Sequence, residues 1–252
     1  MFYGIPAEKQ PAFQQALQTI ADTYRGQILA ADMNISIARN LSFLRDRRFL
    51  DSFTSTAASE QEKSLVWRLH VLAWAGEHAL HMEGDFVECG VFQGFSSAVL
   101  CKYLDFASQS RNYYLYDTFS GLPEETSTDL ERKNYKAYKD FDCEQLYRRV
   151  LERFADYPNV HVVRGVVPCS FEEAAPERIA FLHVDMNSRD AEILALERLF
   201  PKVSPGGIVV LDDFGWQVHR AQMEAETVFM QQRGYRVLEL PTGQGLIFKR
   251  AE

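Results

Sequence analysis

Residues 85–98 read DFVECGVFQGFSSA, an apolar run that ends in an acid and a glycine and passes straight into a helix-like pattern. The reading is strand, ligand loop, helix. Phe86 and Val87 belong to the strand, Gly90 and Gly94 permit positive φ or close backbone approach, and Ser96 and Ser97 fall where a helix start still has free N–H groups. Such a start receives carboxylates or phosphates. A dinucleotide pyrophosphate asks for three closely spaced glycines, whereas this loop has two, crowded by Val91 and Phe92. Glu88 would also set a further negative charge against the phosphates. A zwitterion fits better: Glu88 accepts from an amino group while the helix start takes a carboxylate, which describes the methionine end of S-adenosylmethionine. A βα turn with no ligand is the other reading of this stretch, and the rest of the chain decides between them.

With 252 residues and 46% apolar content, the chain can bury the core of one large α/β domain, or of a domain with a helical appendage. Its 27 basic and 35 acidic residues give a net charge of −8, and no basic run is dense enough to follow a phosphate backbone, so nucleic acid is not an expected partner. No run approaches a membrane span, and the opening MFYGIPAEKQ lacks a charged n-region followed by an apolar h-region. The expectation is a cytoplasmic protein with no membrane partner. Cys89, Cys101, Cys143 and Cys169 form no CxxC pair and are read as reduced, without a zinc cluster or a disulfide framework.

From residue 83 onward strands and helices alternate, and acids close the strands. After a helix through Val99, Leu100 and Tyr103, a second strand over 113–116 ends at Asp117, where an acid accepts from ribose hydroxyls in doubly wound sheets. DTFSGLPEETS follows as a loop at the same edge, with Thr118 and Phe119 at its start. A third strand over 160–163 closes on Arg164 and Gly165. The fourth, 179–184, is a continuous apolar run suited to a parallel strand covered on both faces, and it ends at Asp185. Asn187 or Ser188 is placed to cap the next helix, whose Ile193, Leu196 and Phe200 share a face. SPGG turns the chain into a fifth strand, 208–211, ending at Asp212 and Asp213. A helix over about 217–233 and two short β patterns, 236–240 and 246–249, complete the chain. By fold analogy, that closing hairpin separates the methyltransferase variant of the doubly wound fold from nucleotide dehydrogenases. The expected architecture is α/β, a doubly wound, mostly parallel seven-stranded sheet, Rossmann-like, with a C-terminal antiparallel hairpin. Glu88, Asp117, Asp185, Asp212 and Asp213 line the edge where open sheets bind ligands.

Residues 1–82 are expected to form a helical N-terminal cap or lid, and 83–252 the cofactor-binding domain. The pattern over 7–82 is helical, with no candidate strand. Its best helix begins at Ser59, where Ser59 and Glu62 make a capping box and Leu65, Leu69, Leu72, Gly76 and Ala79 recur on one face. Arg45, Arg47 and Arg48, set among Leu41, Phe43, Leu44 and Phe49, suit a lid over a substrate or a homo-oligomer contact. A solvated arginine edge is the plainer reading of any one of them.

In this order VECGVFQG, YDTFSGLPEE, LHVDMN and SPGGIVVLDDFG resemble the macrocin O-methyltransferase (TylF-type) family of class I S-adenosylmethionine-dependent enzymes, over residues 83–250. Four ordered motifs at compatible spacing are more specific than one glycine loop. The resemblance implies methyl transfer to a hydroxyl of a small-molecule acceptor, often a sugar of a glycosylated natural product, with a divalent metal such as Mg2+. It places Glu88, Gly90, Gly94 and Ser96 at the methionine end, Asp117 at the ribose, and Asp185, Asp212 and Asp213 at the metal. Thr118, Phe119, Gly165 and Asp185 are counted with the cofactor side.

One position departs from the pattern: metal-dependent members commonly carry a second acid two residues after the strand-four aspartate, and this chain has Asn187 there. Local roles compete for the same acids, since Asp212 can cap a helix and Asp213 bond a loop. Three clustered carboxylates, however, repel unless a cation or proton intervenes. Asp185 is a candidate for the reacting centre. His219, near the start of the helix after the aspartate pair, is the candidate base. His183, inside an apolar run, reads as a satisfied core histidine, and His70, His78 and His81 form no ligand set with the acids. Trp216 is placed to line an acceptor pocket or to pack, and packing is the preferred reading. The alternatives are a cofactor-binding but inactive subunit or scaffold, and an NAD-linked oxidoreductase.

Overall fold

The computed structural model describes residues 5–24, 28–135 and 137–251. It comprises two compact units, Met1–Val71 and Leu72–Glu252.

The first unit holds helix α1 (Gln10–Tyr24), strands β1 (Ile28–Ala31) and β2 (Asn34–Ile37), helices α2 (Arg47–Thr54) and α3 (Glu60–Lys63), and the start of α4 (Val66–Ala79), which continues into the second unit. The strand pair corrects the wholly helical expectation. Ala31 pairs with Asn34 across Asp32 and Met33, whose φ values of 51° and 57° make a two-residue turn of the kind that matches strand twist. That turn carries no glycine, so its sequence did not announce it. Residues 1–4 and 25–27 of the expected cap lie outside the described residues.

The capping box forms as expected: Glu62 N–H donates to Ser59 Oγ at 3.1 Å and Ser59 N–H to Glu62 Oε2 at 2.9 Å. The helix it opens is a single turn, because α3 ends at Lys63 and α4 begins anew at Val66. Phe43 stacks on His70 with ring centroids 4.4 Å apart and meets Trp67 at the same separation, so His70 is an aromatic packing residue. Arg45, Arg47 and Arg48 are exposed.

In the second unit the chain runs β3 (Asp85–Cys89), α5 (Phe95–Tyr103), β4 (Tyr113–Asp117), α6 (Asp129–Asn134), α7 (Cys143–Arg153), β5 (Val160–Arg164) and β6 (Ile179–Val184). It continues through α8 (Arg189–Leu199), β7 (Val203–Leu211), α9 (Arg220–Gln232), β8 (Leu238–Glu239) and β9 (Gly245–Phe248). The seven strands lie in the order β5-β4-β3-β6-β7-β9-β8, with β3 to β7 parallel and β9 antiparallel to both of its neighbours. Every residue of β6 is buried, as a central parallel strand covered on both faces requires. SPGG is not the turn expected: Val203 already pairs with Ile179, and Gly206, at φ 81°, sits in a register shift inside a nine-residue strand. The four cysteines are free, and no helix among the described residues is long and apolar enough to cross a membrane.

Arg111 closes the C-terminal end of α4. Its guanidinium donates to the carbonyls of Ala79, Leu80, Met82 and Gly84 at 3.0–3.1 Å, answering acceptors that a helix end leaves orphaned. Arg111→Ala is expected to lower unfolding free energy by about 2–4 kcal/mol, several charge-assisted bonds discounted for partial exposure. Urea denaturation measures it, and a loss under about 0.5 kcal/mol would show that water replaces the guanidinium without cost.

Candidate functional site

Side chains alternate along β3, so Phe86 and Glu88 face one side of the sheet and Val87 and Cys89 the other. This corrects the role expected of Glu88. The carboxylate is 2% exposed and turned into the sheet, where Oε2 accepts from Ser97 and from Tyr113 at 3.3 Å, and Oε1 contacts His183 Nδ1 at 3.1 Å. Burial raises its pKa, opposed by His183. An acid committed on both oxygens beneath the loop supports the loop rather than touching an amino group.

Gly90 is required by the sheet itself. At φ 93°, a Cβ there would stand 1.8 Å from the carbonyl oxygen of Asp185, the residue following β6. Gly94, at φ 71°, is the N-cap of α5. Ser96 follows, half-buried, in the first turn, where N–H groups have no intrahelical partner.

Asp117 binds the loop together. Its Oδ2 accepts from the N–H groups of Val91 and Phe92, both at 2.7 Å, and its Oδ1 from Phe119 N–H at 2.7 Å. The hydroxyl of Tyr138 lies 2.8 Å from each oxygen. These donors account for about the four lone pairs a carboxylate offers, so a further donor could reach Asp117 only by taking the place of one of them. Burial and then the Asp117 charge push the Tyr138 hydroxyl far above its ordinary pKa. Tyr135 is raised likewise, by burial and by the charges of Asp185, Asp117 and Asp213. Neither tyrosine was anticipated; the signal available was a pair of tyrosines three apart in a polar loop. Thr118 donates to the Gly121 carbonyl at 2.7 Å, Phe119 is fully buried with its ring 5.1 Å from that of Tyr147, and Gly165 N–H donates to the Asp117 carbonyl at 2.9 Å. These three shape the Asp117 loop from within.

At the end of β6, Asp185 Oδ1 accepts from Asn187 Nδ2 at 3.2 Å. Asn187 has φ 56° and is held by Glu192, whose Oε1 accepts from Met186 N–H at 2.9 Å and Asn187 N–H at 3.2 Å. The expected cap of α8 is corrected here. Ser188 gives its hydroxyl to the Thr126 carbonyl, while the N–H of Arg189 donates to Glu131 Oε1 at 2.9 Å, from a different element. Glu192 in turn faces Glu226 of α9, and both are fully buried.

The acids after β7 diverge. Asp212 is 1% exposed, with Oδ1 3.2 Å from His183 Nε2 and 2.9 Å from Gln244 Nε2. Asp213 Oδ2 lies 3.7 Å from Nε2 of His219. His183 is the satisfied core histidine expected: burial alone would lower its pKa, but its bonds to Asp212 and Glu88 hold it well above the ordinary value. Among the described residues, the side chains that converge in the manner of a metal site are His183, Asp185 and Asp212, with one ligand atom from each within 4.8 Å of the others. Asp213 falls outside that set and His183 enters it, which alters the expected trio. Asp185 and Asp212 are hard oxygen donors and fit a cation of the Mg2+ class. Trp216 packs against Gly243.

Counted from β3, the strand order is 3-2-1-4-5-7-6 with an antiparallel last strand, and a glycine loop after the first strand faces acids after the second, fourth and fifth. This is the class I methyltransferase fold. Residues 68–237 match the macrocin-O-methyltransferase (TylF) family, and the chain belongs to it. The solved structure of the O-methyltransferase NovP shares the fold with a TM-score of 0.61 at 20% identity, covering 74% of this chain and 81% of that one. CalS11, a calicheamicin methyltransferase, does so at a TM-score of 0.55 and 16% identity, covering 84% and 94%. Mycinamicin III 3''-O-methyltransferase of Micromonospora griseorubida is 28% identical over 161 residues, 58% of this chain and 62% of that protein. A tetracenomycin-C rhamnosyl 4'-O-methyltransferase of Streptomyces olivaceus is 30% identical over 142 residues, 52% and 53% of the two chains. The chain thus matches little more than half the length of these relatives.

Proposed function

We propose that this protein is an S-adenosylmethionine-dependent O-methyltransferase acting on a hydroxyl of a small molecule, a sugar or a glycosylated natural product, in the cytoplasm. The observation that carries the reading is the gathering of the α5 start, Asp117, Asp185 and the Asp212–Asp213 pair at one carboxyl edge of a TylF-family sheet. The free N–H groups around Gly94 and Ser96 receive the methionine carboxylate, and Glu88 supports that loop through Ser97. Asp117 takes the ribose in exchange for Tyr138, while Thr118, Phe119 and Gly165 keep its loop in place.

The acceptor oxygen then attacks the methyl carbon in line with the C–S bond. The bonding pair passes to sulfur, leaving S-adenosylhomocysteine, and the hydroxyl proton passes to Nδ1 of His219, whose Nε2 is turned to Asp213. Asp185 and Asp212 would hold a divalent cation, which would lower the pKa of a hydroxyl bound to it, and Asp213 is left to orient His219. Residues 1–82 form an acceptor-side cap or homo-oligomer contact, and deleting residues up to Arg48 is expected to cost turnover or assembly and to spare cofactor binding.

Calorimetry with S-adenosylhomocysteine and NAD tests the cofactor, and tight NAD binding with no response to S-adenosylhomocysteine would sink the reading. A panel of glycosides is then screened by mass spectrometry for the gain of one methyl group. EDTA should abolish that gain, magnesium should restore it, and His219→Ala should lower turnover without weakening S-adenosylhomocysteine. Full turnover in chelator would remove the metal from the proposal. Cofactor binding with no methylated product would favour the inactive subunit to which Asn187 points.

A further inference from the structure

The register of the closing hairpin sets Leu211 opposite Gly245, so the antiparallel pairing places Gln244 beside Asp212, one step beyond the end of β7. Gln244 is fully buried, and its amide donates to Asp212 Oδ1 at 2.9 Å while its Oε1 accepts from Thr242 Oγ1 at 2.9 Å. A flipped amide would set its oxygen against the carboxylate, so these two contacts fix which way the side chain points. The turn beneath is held by Leu240 N–H on the Gln244 carbonyl at 2.8 Å and Gly215 N–H on the Gly243 carbonyl at 2.7 Å. From the opposite side, His183 Nε2 reaches the same Oδ1 at 3.2 Å, with its Nδ1 on Glu88. A buried polar chain thus runs from Ser97 through Glu88, His183, Asp212 and Gln244 to Thr242.

We propose that Gln244, with His183, is a positioning residue for Asp212, so that the turn of the C-terminal hairpin is part of the reaction site. Gln244 lies beyond residue 237, where the family match ends. The inference rests on the reading of Asp212 as a ligand-binding acid. A bond that merely satisfied a buried carboxylate would affect stability when lost and leave unchanged what Asp212 binds. A positioning bond fixes the carboxylate rotamer, on which cation affinity depends.

Gln244→Met keeps the volume and removes the donor. Thr242→Val removes the anchor of the Gln244 amide and serves as the second variant should the first fail to fold. Mn2+, as a probe for the Mg2+ class, is titrated by electron paramagnetic resonance, S-adenosylhomocysteine by calorimetry, and the variant is crystallised. The expected result is Mn2+ affinity lower by roughly 10–100-fold, S-adenosylhomocysteine affinity unchanged, and Asp212 in a different rotamer. Unchanged Mn2+ affinity in a folded variant overturns the proposal. Wild-type protein that binds no Mn2+ refutes the metal reading instead; the crystal structure of the variant then decides alone, a rotated Asp212 supporting the positioning role and an unmoved one overturning it.

Discussion

Glu226→Gln is expected to raise unfolding free energy at pH 8 by about 2–3 kcal/mol and to leave it unchanged at pH 4. Glu192 and Glu226 meet between α8 and α9 with neither exposed, and apart from each other no donor among the described residues reaches Glu192 Oε2 or either oxygen of Glu226. Ionised carboxylates only accept, so their contact needs a proton. Burial is the main cause of both shifts. Glu192 is held well above the ordinary carboxylate range, and Glu226 is pushed up to about 7, with the charge of Asp213 adding to the effect and the Glu192 hydrogen bond opposing it.

The folded pKa of Glu226 therefore exceeds the unfolded one, and the native state holds more protons in between. Its contribution to stability is fully present below the unfolded value and is lost as pH rises through about 7. A glutamine cannot ionise, and its amide donates to Glu192 at every pH. Denaturant titrations of both proteins at pH 4, 6 and 8 test this; a difference that does not grow with pH would mean that the pair carries no shared proton. Glu192→Gln keeps the acceptor for Met186 and Asn187 and should behave similarly, whereas Glu192→Ala frees the loop that carries Asp185.

Asp117→Ala should weaken S-adenosylhomocysteine binding by about 1–3 kcal/mol, the scale of a hydrogen bond to a charged group, and should also cost about 2–4 kcal/mol of stability. The second effect follows from the three N–H groups, of Val91, Phe92 and Phe119, that converge on this carboxylate, two of them from residues at positive φ. Asparagine is a poor rescue because its amide would turn a donor toward donors. Tyr138→Phe should act the other way, removing the hydroxyl that competes with the ribose and tightening binding by up to about 1 kcal/mol. Calorimetry on the three variants decides, and an Asp117→Ala protein that binds like wild type would exclude the carboxylate from the cofactor site.

Much of this architecture was legible in the chain itself. A parallel strand covered on both faces must be apolar, so β6 stands out as a continuous run, and the acids that close β4 and follow β6 and β7 mark the carboxyl ends of those strands. Asp117, Asp185, Asp212 and Asp213 were thereby placed at one edge without coordinates, and two short β patterns after the last helix gave the antiparallel hairpin. What each acid meets was decided only by the fold. Glu88 faces into the sheet and not the loop because strand alternation assigns its side but not what lies there. Asp117 is claimed by Tyr138, Glu192 by Glu226 and Asp212 by Gln244, partners 21, 34 and 32 residues away. Likewise Glu131, not Asn187 or Ser188, answers the first N–H of α8, and a glycine-free turn folds β1 onto β2. Periodicity follows from local geometry and reports which face is buried; the pairing of side chains across that buried space depends on how separate elements pack, which no spacing in the chain encodes.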